Sequence, residues 1–462
     1  MVMSVLGRVL PSASDVRSER DIVERARLLL KVHHAEMEDG EHYVGLNRIH
    51  QYLMGQQEHP SLPAGATPEV RKLAKMSRVN VLDLIVSSIA QALYVDGYRA
   101  GESSMLGPRP DEAPAWQVWQ ANRMDRRQSG IHRAALAYGT SYVTVLPGTP
   151  LPVIRGHSPR RMVAVYGDDD EWPVSALQIE PSGGHWALRL FESGVAHRLS
   201  ATGSLGDVSS EITYLETETH GSQVTPVVRY LNVVDLDEEH QGEIERLIPI
   251  QDQIDDTTFS MLVAQRYAAF RQRYVIGWTD ATEEQKLKAS AARLWLFEDD
   301  VKVGEFEQTD LKGYLDSRES SLRHAATISQ TPAHELIGQM VNLSAEALVA
   351  AEASQRRKVT ERQMSFGESH EQALMLSGQY AGFEVEAEAQ VRWRDTESRA
   401  LSQTVDALGK MAQMLGIPPQ VLWERIPGVS QQDVQAWRDA LNGGDPVTHL
   451  LAEMQRQAEV AA

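Results

Sequence analysis

The stretch WQVWQANRMDRRQSGIHRAALAYGTSYVTV, residues 116–145, holds the transition on which the reading of the fold turns. Helical patterning runs around Trp116–Met124 and again from Asp125 to Tyr138, with Trp116 and Trp119 three apart as packing anchors. Gly139 then supplies the residue type that most easily ends a helix in a left-handed conformation. From Ser141 to Leu146 the chain alternates Tyr, Val and Thr, which is strand patterning.

Downstream, short segments of the same kind recur at Met162–Tyr166, Val174–Glu180, Trp186–Phe191, Glu211–Leu215 and Val224–Arg229, separated by Gly- and Asp-rich turns. This predicts a mainly antiparallel β region at about 140–235 inside an otherwise helical chain. Upstream, Ile22, Ala26, Leu29, Leu30 and His33 recur at helical spacing between Asp15 and Glu38. Thr67, followed by Pro68 and Glu69, is suited to open a second helical region, which is expected to reach Asp96-Gly97 with a break near Asn80.

Beyond the β region, a helical stripe of Leu247, Ile250, Ile254, Thr258, Met261 and Leu262 lies within Gln241–Arg273, with Pro249 at a start or kink. Asp252, Asp255 and Asp256 sit near its beginning and Arg266, Arg271 and Arg273 near its end, the arrangement that the helix dipole favours. From Ile250 to Arg273 such a helix spans about 36 Å, the length of a strut. A small β excursion, Leu294–Phe297 and Val301–Val303, follows, then a helix over Asp310–Ala326 and a polar break at Ser329–Pro332. The longest helical pattern is Ser344 to about Leu376, roughly 50 Å if continuous. A terminal pair, Ala400–Leu415 and Ser430–Leu441, closes the chain.

At 462 residues, length alone points to about three structural units. The absence of cysteine excludes disulfides, thiolate metal sites and thiol nucleophiles. Val2–Leu6 is too short for a signal-peptide core, and Val79–Val95 carries too many polar residues to span a membrane. A net charge of −19 argues against broad wrapping of DNA phosphates, while suiting a surface that lets DNA slide.

No phosphate-binding loop or dinucleotide fingerprint is present, which excludes a nucleotide-driven motor of those types. Tyr138–Tyr142 lacks the second glycine of a nucleophile elbow, and His334-Glu335 and His370-Glu371 lack the second histidine of a zinc-protease motif. His33, His34, His42, His50 and His59 show no ligand pair one helical turn apart. The acidic turn Asp168-Asp169-Asp170-Glu171 is the one place where a metal-dependent nucleic-acid enzyme would hold a divalent cation, although contiguous acids in a turn ordinarily face solvent. Arg356, Arg357, Lys358 and Arg362 form a basic cluster, with Glu352 and Glu361 one turn from Arg356 and Arg357, so pairing within the helix or between subunits is expected ahead of DNA contact.

Taken in order, these segments resemble the portal proteins of tailed double-stranded DNA bacteriophages, the head-tail connectors, of the siphovirus type and particularly those infecting actinobacteria. The resemblance rests on Tyr52–Gly55, Val79–Val81, Val95–Tyr98, residues 116–145, TPVVRYLN at 225–232, Ile250–Ile254, ISQTPAHEL at 328–336 and DALGKMAQMLGIPPQVLWERIPG at 406–428. It implies an α+β, mainly helical, ring-forming subunit of the portal fold. The wing would take 1–240, stem helices 241–274 and 310–328, the clip 275–309, a tunnel loop 329–343, a long wing helix and its return 344–395, and a small crown 396–462.

The resemblance further implies a non-enzymatic dodecameric ring at one capsid vertex, without cofactor. Such a ring would be a passive channel for packaging and ejecting double-stranded DNA. Its partners would be the terminase large subunit, a head-tail adaptor, and the major capsid and scaffold proteins, with no membrane and with assembly in the host cytoplasm. Gln330, His334, Gln339 and Asn342 would approach DNA. Trp295, Phe297, Glu298, Asp299 and Asp300 would meet adaptor or terminase, and Arg356, Arg357, Lys358 and Arg362 would serve neighbouring subunits or DNA. The rival readings are the metal-dependent enzyme and another connector or scaffold component of a virion.

Overall fold

Ser18 opens the first helix, α1 (Glu19–Met37), with a capping box: its hydroxyl accepts the Asp21 N–H and the Asp21 carboxylate accepts the Ser18 N–H. The computed structural model describes residues 18–40, 43–62, 64–99, 114–167, 171–203, 211–235, 241–268, 273–276, 302–305, 310–338, 345–386, 388–394, 401–426, 429 and 431–443. After α1 come α2 (Leu46–Leu53), α3 (Pro68–Met76), α4 (Leu82–Gln91), β1 (Val95–Arg99), α5 (Pro114–Ala121) and α6 (Met124–Tyr138). The β region comprises β2 (Thr140–Leu146), β3 (Val153–His157), β4 (Met162–Tyr166), β5 (Pro173–Ser182), β6 (His185–Phe191), β7 (Val195–Thr202), β8 (Glu211–Thr219) and β9 (Val227–Leu231). Then follow α7 (Ile248–Ala268), β10 (Arg273–Ile276), β11 (Lys302–Glu305), α8 (Lys312–Ser329), α9 (Ala333–Ile337), α10 (Ala345–Ala381), β12 (Gln390–Trp393), α11 (Leu401–Leu415), α12 (Pro419–Leu422) and α13 (Gln431–Gly443).

The chain divides into one unit drawn from 1–47, 86–242 and 357–462 and another from 48–85 and 243–356. In the first, β4-β5-β6-β7-β8 form an antiparallel meander and β3-β2-β9 a second antiparallel sheet. Strand β4 is apolar at successive positions because both of its faces are covered. Val163 and Val165 face Ile22, Ala26, Leu29 and Leu30 of α1, whereas Met162 and Ala164 join Tyr142 and Val227 of the smaller sheet. Arg25 of α1 is drawn into this interior by a buried ion pair with Glu192, which also lies 3.6 Å from His197.

Gly139 adopts φ 88°, its N–H caps α6 by bonding to Ala135, and its carbonyl accepts the Asn232 N–H at 2.9 Å. The sharp reversal places β2 directly after α6, as the sequence predicts, and between β3 and β9. Gly242 shows why the chain returning past α6 needs glycine: a Cβ there would lie 2.2 Å from the Ala137 carbonyl oxygen. The expected helix reaching Asp96-Gly97 ends instead at Gln91, and Val95–Arg99 pairs antiparallel with Gln390–Trp393. The side-chain amide of Gln128 replaces a neighbouring strand at Val95, accepting its N–H at 2.7 Å and donating to its carbonyl at 3.0 Å.

Helix α10 is fixed against this unit by polar as well as apolar groups. Ser365 and Ser369, one turn apart, donate at 2.8 Å to the Leu231 and Arg229 carbonyls of β9. Deeper in, Tyr230, His370 and His132 form a buried chain ending on the Leu93 carbonyl. That carbonyl can only accept, so His132 Nδ1 carries the proton and Nε2 is left to accept from His370 Nε2–H at 2.8 Å. His370 Nδ1 then accepts the Tyr230 hydroxyl at 2.8 Å, and every member is satisfied with both imidazoles neutral. Phe366, Trp119 and Trp393 surround the pair.

Burial pushes His132 down to about 4 and His370 well below the ordinary histidine range. The unfolded chain ionises its histidines near pH 6.5 and therefore binds more protons than the folded chain between that pH and about 4. Stability is thus full above pH 6.5 and is lost as pH falls through that window, by up to about 3 kcal/mol for His132 alone. Urea midpoints measured from pH 7.5 to 4.5 are expected to fall below pH 6.5; a flat profile contradicts the neutral chain.

Candidate functional site

The second unit contains two rod-like helices, as the sequence anticipates, but Arg273, expected within the first, opens strand β10, whose pairing with β11 sets its extended form. Helix α7 has 21 residues and α8 has 18, giving lengths of about 32 Å and 27 Å. Pro249 stands in the first turn of α7, where its missing N–H costs no helical bond. The two helices pack together, α8 presenting Ser321, Leu322, Ala325, Ala326 and Ser329 as a buried stripe of mostly small residues, while α7 buries Ile254 and Thr258. Between them in sequence, β10 and β11 pair antiparallel from Arg273 opposite Glu305 to Ile276 opposite Lys302. Trp295, Phe297, Glu298, Asp299 and Asp300 lie outside the described residues.

A polar clamp at the start of α7 joins three of the segments singled out in the sequence. Asp252 accepts the Tyr52 hydroxyl at 2.6 Å, and Asp255 accepts from Gln57 Nε2 at 2.8 Å, the Val79 N–H at 3.0 Å and Gln251 Nε2 at 2.9 Å. Gln251 also accepts the Val81 N–H and donates to the Val79 carbonyl, while Asn80 donates to the Leu53 carbonyl and caps α4 through the Asp83 N–H. Burial raises the Asp255 carboxyl above its ordinary range, opposed by the hydrogen bonds it accepts, and Tyr52 is pushed up to about 12 by burial and by Asp252. Sequence reading assigned Asp252 and Asp255 to the helix dipole. Their larger role is to satisfy backbone and side-chain donors, and the readable signal was the Gln251/Asp255 pair, one turn apart on a face that also carries Ile254 and Thr258.

At the far end of α8 the stretch 329–338 makes a tight reversal. Gln330 takes φ 56°, the Thr331 N–H returns to the Ala326 carbonyl, and the buried Ser329 and Thr331 hydroxyls bond at 3.0 Å. Pro332 opens the short α9, and Gly338 closes it at φ 71°. Gln330 is exposed at this corner and His334 is half-buried within α9; Gln339 and Asn342 lie outside the described residues.

The basic cluster on α10 is not a single surface. Arg356 pairs with Glu352 at 3.1 Å, as expected, and Arg357 is exposed. Glu361 reaches Arg362 at 3.2 Å, in place of the Arg357 expected from helical spacing. Arg362 and Lys358 are buried, Arg362 donating to Asn232 at 2.8 Å. Ser141, in the stretch set aside as a nucleophile, is buried with its hydroxyl on the Ile131 carbonyl.

Among the described residues no three His, Asp or Glu side chains could hold a metal ion, and no helix is long and apolar enough to cross a membrane. Residues 168–170 and His42 lie outside them; the Glu171 carbonyl accepts from Gln372. His33 is a core residue of α1, pushed down to about 4 mainly by burial.

Residues 34–446 match the family model described as phage portal protein, SPP1 Gp6-like. The chain is 25% identical over 376 residues to the portal protein of Mycobacterium phage D29, covering 75% of each, and 24% identical over 380 residues to that of Mycobacterium phage L5, covering 73% of this chain and 72% of that one. Among solved structures, the neck of an empty GTA particle computed with C6 symmetry contains a chain 14% identical at a TM-score of 0.47, with 78% of this chain and 96% of that one covered. The neck of the native particle computed with C12 symmetry gives 14% and 0.45 at the same coverage.

Replacing Asp255 with Ala removes the acceptor shared by Val79 N–H, Gln57 and Gln251 and is expected to cost about 1–3 kcal/mol in urea unfolding. Asp255→Asn, which keeps an acceptor oxygen, is expected to cost less. Equal losses would show that the charge, rather than the hydrogen bonds, matters.

Proposed function

The chain belongs to the SPP1 Gp6-like family of phage portal proteins, and from that membership we propose that it closes a dodecameric ring at one capsid vertex through which double-stranded DNA enters and later leaves. Portal proteins are structural components of the virion, not enzymes, and the relatives in the two mycobacteriophages carry that name. The observation that carries the finer reading is the pairing of α7 with α8 across the β10–β11 ladder, since two packed rods leading into a small β element suit a stem and its clip. In this reading residues 1–240 and 344–395 form the wing, 241–274 and 310–328 the stem, 275–309 the clip, 329–343 the tunnel loop and 396–462 a small crown.

The ring is a passive conduit. Terminase large subunit docks at the clip during packaging, a head-tail adaptor takes its place afterwards, and scaffold and major capsid proteins meet the wing as particles assemble in the host cytoplasm. A dodecamer carries about −230 charges, which disfavours lasting phosphate contacts wherever acids face the bore. In this reading Gln330, at the corner after α8, and His334, in α9, present polar groups to a passing duplex, together with Gln339 and Asn342. Arg357 is the exposed member of the basic cluster and the one available to a neighbouring subunit or to DNA.

Electron microscopy with mass analysis of the purified chain is expected to show rings with an open axial channel and near-dodecameric mass. A uniformly monomeric species, persisting with scaffold and capsid protein present, overturns the reading. Gln330→Gly preserves the left-handed backbone while removing the side chain. Combined with His334→Ala, it is expected to leave ring yield unchanged and reduce packaged DNA several-fold; packaging at the unmodified level removes both residues from the channel.

A further inference from the structure

Helix α3 is amphipathic in an unusual sense. Its inner face buries Ala74 and is followed by the buried Ser77, while Arg71, Lys72 and Lys75 project outward with no ion pair among the described residues. Lys72 and Met76 are one turn apart, and Met76 is 58% exposed. The helix is firmly held, with Thr67 capping the Val70 N–H and Glu69 accepting from Arg266 at 2.6 Å. A fixed, positively charged face in a chain of net charge −19 calls for an acidic partner.

The acids of the chain are unevenly committed. On β8, Glu216 and Glu218 are engaged by Arg198 and Arg189, while Glu319, Glu352 and Asp406 pair within their own helices. Glu384, Glu386 and Glu388 are exposed, and none of them makes an ion pair among the described residues. The segments that carry them are tied by hydrogen bonds. Gly382 closes α10, the Phe383 N–H bonds to the Gly378 carbonyl, Ala389 N–H to the Glu386 carbonyl, and Val391 N–H to the Glu371 carboxylate. Half-buried Phe383 and Val385 stand between the acids.

We propose that the Arg71, Lys72 and Lys75 face of α3 docks on Glu384, Glu386 and Glu388 of a neighbouring copy of this chain, an inference that rests on the ring-forming reading above. Charge complementarity selects the partner. Among the described residues three bases without ion pairs meet three acids without ion pairs, and backbone hydrogen bonds on both segments limit the entropy lost on contact to that of the side chains. The apolar side chains within each patch favour protein over nucleic acid, since Met and aromatic residues are enriched at protein interfaces and contribute nothing to phosphate binding.

The test is a charge exchange on the full chain, read as ring yield by mass analysis and electron microscopy. Arg71→Glu with Lys75→Glu is expected to lower ring yield at least about tenfold without changing thermal unfolding, as is Glu384→Lys with Glu386→Lys. Joining the four substitutions in one chain is expected to restore rings. Failure of that rescue, or normal ring yield from either pair alone, overturns the contact. Rings that form normally from the α3 variant but no longer retain DNA assign the basic face to nucleic acid and likewise overturn it. An unmodified chain that never forms rings removes the ring reading and this contact together, whereas rings from both unmodified and α3-variant chains remove the contact alone.

Discussion

The first unit depends on keeping a line of polar atoms neutral in its interior. Tyr230, His370, His132 and the Leu93 carbonyl belong to β9, α10, α6 and the chain beyond α4, and each donates or accepts in one sense only. An apolar stripe would hold α10 against the sheet in several rotations and shifts, because dispersion contacts are not directional. Hydrogen bonds in a low-dielectric interior admit one arrangement, since a shift of one residue leaves two imidazoles and a phenol unsatisfied. Ser365 and Ser369 repeat the constraint at successive outward carbonyls of β9, and Arg362 repeats it at Asn232. A 37-residue helix with polar and apolar residues on most sides is thereby given a defined register.

The clamp on α7 follows the same physics by a different route. Gln251, Asp252 and Asp255 accept from, or donate to, main-chain atoms of Val79 and Val81 and the side chains of Tyr52 and Gln57. Val79 and Val81 lie outside strands and helices, so apart from the bond of the Val81 N–H to the Val79 carbonyl, the α7 side chains partner these main-chain groups. The consequence is positional: the beginning of α7 is tied down by side chains two turns deep, while the rest of the helix meets α8 and, through Arg266 and Glu69, α3. A helix held near both ends and braced along its length can transmit position to the β10–β11 pair that follows it in sequence.

Elements with strong local signals were legible in the sequence, and those made by distant partners were not. Thr67-Pro68, Gly139 and the alternation after Ser141 gave the α3 start, the α6 stop and β2 because each signal acts within one or two turns. Strand β3 escaped notice because Arg155, Gly156 and His157 interrupt its pattern, and β7 because His197 and Arg198 do. Both are set by pairing with neighbours, β3 with β2 and β7 with β6 and β8. The reach of helix through Asp96 failed for the same reason, since Val95–Arg99 owes its extended form to residues 390–393. For the residues proposed to approach DNA, a break after α8 was readable from Ser329–Pro332, but the left-handed turn at Gln330, a residue with no special preference for it, was not.

The fate of the basic residues on α10 shows how the fold redistributes charges that are adjacent in sequence. Read as a sequence, Arg356, Arg357, Lys358 and Arg362 look like a positive patch on a long helix. In the fold, Arg362 and Lys358 are buried and Arg356 is neutralised one turn away, so three of the four charges serve the subunit's own packing. A cation already hydrogen-bonded in the interior cannot also attract phosphate without giving up that bond, which in a buried setting costs about 1–3 kcal/mol. Three of the four bases on α10 are therefore withheld from any polyanion, which leaves Arg357 as the exposed cation of the cluster.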